Sequence, residues 1–219
     1  EALRRHRSNL DARLLAVRES LAQALGVSAS SLPFVGELLQ VKQGESEWTG
    51  AVERVLASFA RTLVVPAQHY LAAAEFIDAE FLGTRLVYER VEPRGEDGPD
   101  FVADLLPSKL DLADGAYTGW LAERLQRRFA YACVDDARSL DGVQRGVTRN
   151  GQVKHSPSLH EKDDRFRVAD QGLAEGWLVA TSQIWAVLSS LPEAASRPSG
   201  LKATARTASA WPVRGKARS

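Results

Sequence analysis

Apolar residues set two different rhythms along this chain. At its start Leu3, Leu10, Leu14, Val17, Leu21 and Ala24 are separated by seven, four, three, four and three positions. That is the spacing of a coiled-coil seam, and it predicts an arm helix over residues 1–26, with Arg7 interrupting one seam position. An amphipathic helix packed on the domain fits the same pattern. Gly26 reads as the helix stop, and Ser28 to Pro33 as a connector.

From residue 32 onward, short strand-like runs alternate with helical ones. PFVGELLQV reads as a strand entered through a Gly turn, and Ala51 to Ala60 as a helix with Val52, Val55, Leu56 and Phe59 on one face. TLVVP reads as a buried strand stopped by Pro66. AQHYLAAAEFIDAEF reads as a second helix with Tyr70, Leu71, Ala74 and Ile77 inward, and RLVYERV alternates as a strand. This β-α-β-α-β order over residues 32–91 predicts an α/β layer. EPRGEDGPD is a loop by composition. Residues 101–170 then repeat the theme: KLDLAD as strand, YTGWLAERLQRRF as helix and AYACV as strand. TRNGQV follows as a hairpin on an Asn-Gly turn, leading to a charged loop around HEKDDR. The repeat carries a signature, because EWTGAVERVL returns as AYTGWLAERL, with an aromatic residue and Thr-Gly 69 positions further on. The expected fold is mixed α/β, built from two pseudo-repeated half-domains. WLVATSQIWAVLSSL fits a helix, yet residues 171–219 as a whole read as an atypical basic, poorly ordered tail rich in Ala, Ser and Arg.

Composition adjusts this picture only modestly. A chain of 219 residues can bury a full core. Lys plus Arg and Asp plus Glu both number 28, so any attraction to nucleic acid or membrane must come from a local patch. Cys133 is the only cysteine, which excludes a disulfide framework and fits a cytoplasmic protein. No apolar run is long enough for a membrane helix, and no signal peptide is visible. The absence of methionine and the start on Glu1 suggest a piece of a longer protein or a mature fragment.

GELLQV, W-x-x-AVERVL, TLVVP-x-x-HY and G-x-RLVYERV, with the later W-L-A-E-R-L-x-x-R-F-x-Y-A-C, TRNGQVKH and HEKDDR, resemble the hinge region of SMC-like, MukB-like ATPases. They are most similar to the JetC family, the SMC-like subunits of bacterial Wadjet anti-plasmid systems. The resemblance covers residues 32–170, with the first helix as the incoming arm. It implies an SMC-type hinge of two pseudo-symmetric α/β halves that forms a homodimer. The parent would be a DNA-translocating ATPase with kleisin-type and accessory subunits, acting on double-stranded DNA without sequence preference. The sequence contains no G-x-x-x-x-G-K-[ST], so no phosphate-cradling loop, catalytic residue or cofactor is expected in this region. Where the resemblance expects an outgoing coiled-coil helix, the chain carries the Ala/Ser/Arg tail. The same features fit the hinge of a chromosome-organising MukB-like condensin.

Residue chemistry adds two sets of candidates. Strands at the ends of the half-domains offer exposed edges, with Leu86, Val87, Tyr88, Tyr131 and Cys133 as dimerisation candidates. Arg124, Arg127 and Arg128 lie at i, i+3 and i+4 of one helix; with Arg145, Arg149 and Lys154 they are DNA-contact candidates, and Lys109 and Lys162 flank them. A solvated face with local salt bridges fits those arginines as well. KHSPSLHEKDD brings His155, His160, Glu161, Asp163 and Asp164 into ten residues. Those ligand types suit a metal, which keeps a small metal-dependent phosphodiesterase as the alternative from a different class. H-E-x-x-H is absent and no cysteine joins in, so the stretch reads first as a solvated loop with turn contacts, with an Arg-paired structural network as a further alternative. His69, after a Pro turn, reads as a helix N-terminal contact.

Overall fold

The computed structural model describes residues 10–95 and 97–163. Leu3, Arg7, Asp164 and the tail at 171–219 lie outside the described residues. Helix α1 (Ala12–Leu25) begins where the Asp11 carboxylate accepts the Arg13 N–H at 2.9 Å. It ends at Gly26, whose φ of 66° lies in the left-handed region that glycine adopts without strain. Leu10, Leu14 and Leu21 are buried with Leu32, Phe34, Leu63, Val65 and Ala73, and Val17 is buried too. Over the described span the seam therefore packs on the body of its own chain, as an amphipathic helix does, while Ala24 is exposed. Arg18 fixes the arrangement, donating at 2.8 and 2.7 Å to the two carboxylate oxygens of the buried Glu37.

The first half comprises β1 (Leu39–Val41), α2 (Thr49–Ala60), β2 (Thr62–Pro66), α3 (Tyr70–Ala79) and β3 (Val87–Val91). The second comprises β4 (Leu110–Leu112), α4 (Thr118–Arg128), β5 (Ala132–Val134), α5 (Ala137–Asp141) and β6 (Gly146–Thr148). A meander of β7 (Gln152–Lys154) and β8 (His160–Lys162) is appended to it. In each half the middle strand pairs in parallel with the strand after its crossover helix, β2 with β3 and β5 with β6. The other side of each middle strand meets a single antiparallel bridge, Phe34 to Leu63 in one half and Leu105 to Ala132 in the other. The mixed α/β fold and the duplication are thus real. Helix α3 faces inward through Ala73, Phe76 and Ile77; Leu71, expected inside, is 70% exposed. A short 3-10 turn at Ala67–His69 precedes α3 and sets its phase.

Strands β1 and β4 join the halves. They pair antiparallel with Leu39 opposite Leu112, Gln40 opposite Asp111 and Val41 opposite Leu110, which puts a local two-fold through the Gln40–Asp111 pair. The main core draws on both halves. Val52, Leu56, Phe59 and Val64 are in one cluster with Trp120, Leu121, Leu125 and Phe129, and Phe59 meets Trp120 and Phe129 at centroid distances of 6.3 and 5.0 Å.

The repeated signature has a local cause. Trp48 and Tyr117 are the residues just ahead of α2 and α4, both with near-helical backbone. Thr49 donates its N–H, and its hydroxyl at 2.7 Å, to the Ser46 carbonyl. Thr118 likewise donates its N–H to the Gly115 carbonyl at 3.2 Å, while its hydroxyl lies between the Ala113 carbonyl at 2.8 Å and the Gly115 carbonyl at 3.0 Å. Each threonine closes the turn that starts its helix. Gly119 then lets the linker between the halves lie against α4, its N–H donating to the Gly95 carbonyl at 3.0 Å. A Cβ there would overlap the Asp97 carbonyl. We expect Gly119→Ala to lower unfolding stability by about 2 kcal/mol, although helix propensity alone favours Ala by up to ~1 kcal/mol. Gly44→Ala, which meets nothing within 4 Å, should be close to neutral. Urea denaturation of both variants checks the contrast.

Candidate pairing edges and basic surface

Among the described residues β1 and β4 pair only with each other, and β2 and β5 each meet an isolated bridge on the side away from their partner strand. The sheet-edge strand that ends each half is β3, beside β2, in the first and β8, at the end of the order β5-β6-β7-β8, in the second. β3 carries the expected dimerisation residues Val87 and Tyr88, with Leu86 just ahead of it. Val87 is exposed, while Leu86 and Tyr88 are half-buried against the α1–α3 cluster. The other two candidates need correcting. Tyr131 is only 5% exposed, and β5 is flanked on both sides. Its Ala132 N–H donates to Arg145, while Cys133 N–H donates to Asp104 and the Tyr131 carbonyl accepts from Leu106. Tyr131 and Cys133 therefore belong to the sheet interior, and the outer strand of the second half is β8. Its His160, Glu161 and Lys162 are all exposed. The sequence shows there only a charged run, and a strand of three polar residues gives no alternation to detect.

The meander leading to β8 is well braced. Gly151, with φ of 76°, closes the Arg149–Gly151 loop that Asn-Gly predicts. The Arg54 guanidinium of α2 packs against Gly151 and donates through Nε to the Asp163 carbonyl at 2.7 Å. His155 lies between Tyr131 and Glu161: the Tyr131 hydroxyl is 2.9 Å from Nδ1, and the Glu161 carboxylate 2.8 Å from Nε2. Among the described residues no three of His, Cys, Asp and Glu converge as metal ligands. His69 contacts Gln68 at 3.0 Å, at the turn into α3.

The basic candidates separate into different roles. Arg124 ion-pairs with Glu89 of β3, across the two halves. Burial, followed by the nearby Arg128 and Arg127 charges, holds its pKa below the usual arginine value. Arg127 pairs with Glu123 at 2.8 Å, and Arg94 of the linker reaches the same carboxylate at 2.9 Å. Arg149 lies between Glu47 and Asp135, at 3.1 and 2.9 Å. Lys154 is corrected outright: it is 4% exposed, and its ammonium donates to the Leu140 and Asp141 carbonyls at the end of α5. It caps a helix and offers nothing to a phosphate. Arg128 lies over Phe59 and Phe129, and Arg145 over Tyr131 at 4.2 Å while donating to the Arg128 carbonyl. These two guanidiniums are the members of the set with no carboxylate partner among the described residues.

No protein-family model matches the chain, and no curated protein matches it. Among solved structures it is similar to the Pyrococcus furiosus Smc hinge domain with an extended coiled coil, at 16% identity and a TM-score of 0.51. That match covers 69% of this chain and 56% of the other, so the chain spans little more than half of the archaeal one. It is also similar to the folded elbow of cohesin, at 15% identity and a TM-score of 0.50, over 72% of this chain and 24% of that one. A further match is an asymmetric dimer of the Geobacillus stearothermophilus SMC hinge domain, at 15% identity and a TM-score of 0.47, over 81% and 80%. The chain has the fold of an SMC hinge domain. No helix of the described residues is long and apolar enough to cross a membrane.

Cys133 provides a test of this geometry. Burial, chiefly, pushes its thiol up to about 12, against a smaller opposing effect of Lys109. Only the thiolate alkylates, so at pH 8 the folded protein should react with iodoacetamide at least ~100-fold more slowly than the urea-unfolded chain. Equal rates would mean that β5 is open to solvent.

Proposed function

We propose that this chain is the dimerisation hinge of an SMC-like, DNA-translocating ATPase acting in plasmid defence in the bacterial cytoplasm. The observation that carries the hinge reading is that each pseudo-symmetric half ends in an outermost strand, β3 in one and β8 in the other. An outermost strand is a template for a second chain. Pairing β3 of one protomer with β8 of its partner, twice about a two-fold, uses these two strands of both protomers and closes the assembly at two chains. Pairing like with like would use two different two-fold axes and propagate into a polymer. The plasmid-defence reading rests on the JetC-like motifs. Kleisin-type and accessory subunits follow from the parent assembly.

A sedimentation experiment checks the pairing. The chain should be dimeric at micromolar concentration, burying ~800 Å² per partner as stable interfaces do. Val87→Lys, which puts a charge on the exposed start of β3, should weaken the dimer about tenfold, or by ~1.4 kcal/mol. A wild-type monomer at that concentration ends the reading.

The same reading gives the hinge a non-specific DNA contact through Arg128 and Arg145. Stacking on aromatic rings holds their guanidiniums in place, and no carboxylate partner competes for them. Each phosphate contact contributes ~0.9 to the slope of log affinity against log salt, so Arg128→Ala with Arg145→Ala should make that slope shallower by nearly two units. Arg124→Ala should leave it unchanged, because Arg124 is engaged by Glu89. An unaltered slope in the double variant removes the contact.

A further inference from the structure

The outer strand of the second half is three residues long and fully exposed, yet a buried side chain reaches it. Tyr131 stands on the sheet interior ahead of β5, His155 follows β7, and Glu161 is the central residue of β8. Their side chains form one hydrogen-bonded line, with steps of 2.9 and 2.8 Å. The proton positions follow from the ends. The Glu161 carboxylate accepts, so Nε2 carries the hydrogen; in a neutral imidazole Nδ1 is then an acceptor, and the Tyr131 hydroxyl donates to it. Arg145 covers the Tyr131 ring at 4.2 Å and Tyr131 packs edge-on to His155, so the inner end of the line is fixed.

We propose that the Tyr131–His155–Glu161 line is a positioning device that holds β8 in the geometry in which it receives the partner's strand, with His155 as the positioning residue. The proposal rests on the reading of β8 as a pairing strand. Main-chain bonds to β7 set the register of β8, and Arg54 holds its far end through the Asp163 carbonyl. The line supplies a third restraint at the middle of the strand, anchored in the core. It is directional as well: only one imidazole tautomer completes both bonds. A strand this short has few ladder bonds of its own, so removing one charge-assisted bond should loosen it measurably.

The test uses the full chain and Tyr131→Phe, which removes one buried oxygen that a partner cannot touch, alongside Glu161→Ala on the exposed end. Imidazole 15N spectra should show the Nε2–H tautomer of His155 in the wild type, where Glu161 holds that hydrogen, and a tautomer mixture in Glu161→Ala. Amide exchange over residues 160–162 should become about tenfold faster in both variants, the loss expected for one such bond. The dimer constant should weaken by about the same factor. Unchanged melting curves show that both variants fold. An unchanged tautomer and unchanged exchange overturn the proposal, and faster exchange with an unaltered dimer constant overturns its link to pairing. A monomeric wild type defeats the pairing reading instead, and the exchange arm then decides alone whether the line holds β8.

Discussion

The antiparallel pairing of β1 with β4 is the constraint on which the rest of this fold depends. Three residues from each half meet there, and their register places a two-fold at Gln40 and Asp111. That pairing brings the apolar faces of α2 and α4 together, so that Phe59 finds Trp120 and Phe129. Neither half has a comparable core without the other; the main cluster takes its members from both. Polar groups reinforce the seam. Lys42 donates to the Ser108 carbonyl at 2.9 Å, Lys109 pairs with Glu45 at 3.0 Å, and Arg124 with Glu89. Each half also extends a segment onto the opposite helix: the linker after β3 onto Gly119 of α4, and the loop after β6 onto the Arg54 guanidinium of α2. The halves therefore fold as one unit, and their outermost strands are held at fixed positions relative to each other.

Much of this was legible in the sequence, and what was missed has physical causes. The Thr-Gly signature is visible because the same turn is built twice, with the threonine N–H donating to the carbonyl three residues back in both. TLVVP is visible because β2 is buried along its whole length. By contrast, β8 is outermost and polar, so its strand character comes from the β7 register and not from its own pattern. Lys154 looks like a surface cation until the sheet places its stem in the interior and α5 supplies carbonyls for its ammonium. The spacing of the arginine triplet puts all three on α4, but periodicity cannot say what lies opposite. Glu89 comes from the other half, 35 positions away.

The two halves are equivalent at their centre and different at their rims. In the first, the crossover is a ten-residue helix, and α1 adds a second apolar cluster over β2 and β3. In the second, the crossover is five residues, and the β7–β8 meander takes the place of that cluster. The outermost strands thus differ in kind: β3 runs parallel to its neighbour and leans on apolar helices, whereas β8 is antiparallel and carries charge. Such edges discriminate between cross-pairing and self-pairing, because a β8–β8 contact would bring identical charged runs together.

Helix α1 is part of the same mechanics. Its Arg18 grips Glu37, which also accepts the Phe34 N–H at 2.8 Å, and Phe34 bridges to Leu63 in β2. Taking one partner out of a buried ion pair leaves the other charge uncompensated, at a cost of ~3–5 kcal/mol. A displacement of α1 therefore carries Glu37 and Phe34 with it, and through them β2 and the adjacent β3. The helix that enters the domain and the strand proposed to meet the partner are joined by an unbroken run of strong contacts, so the direction of one constrains the position of the other.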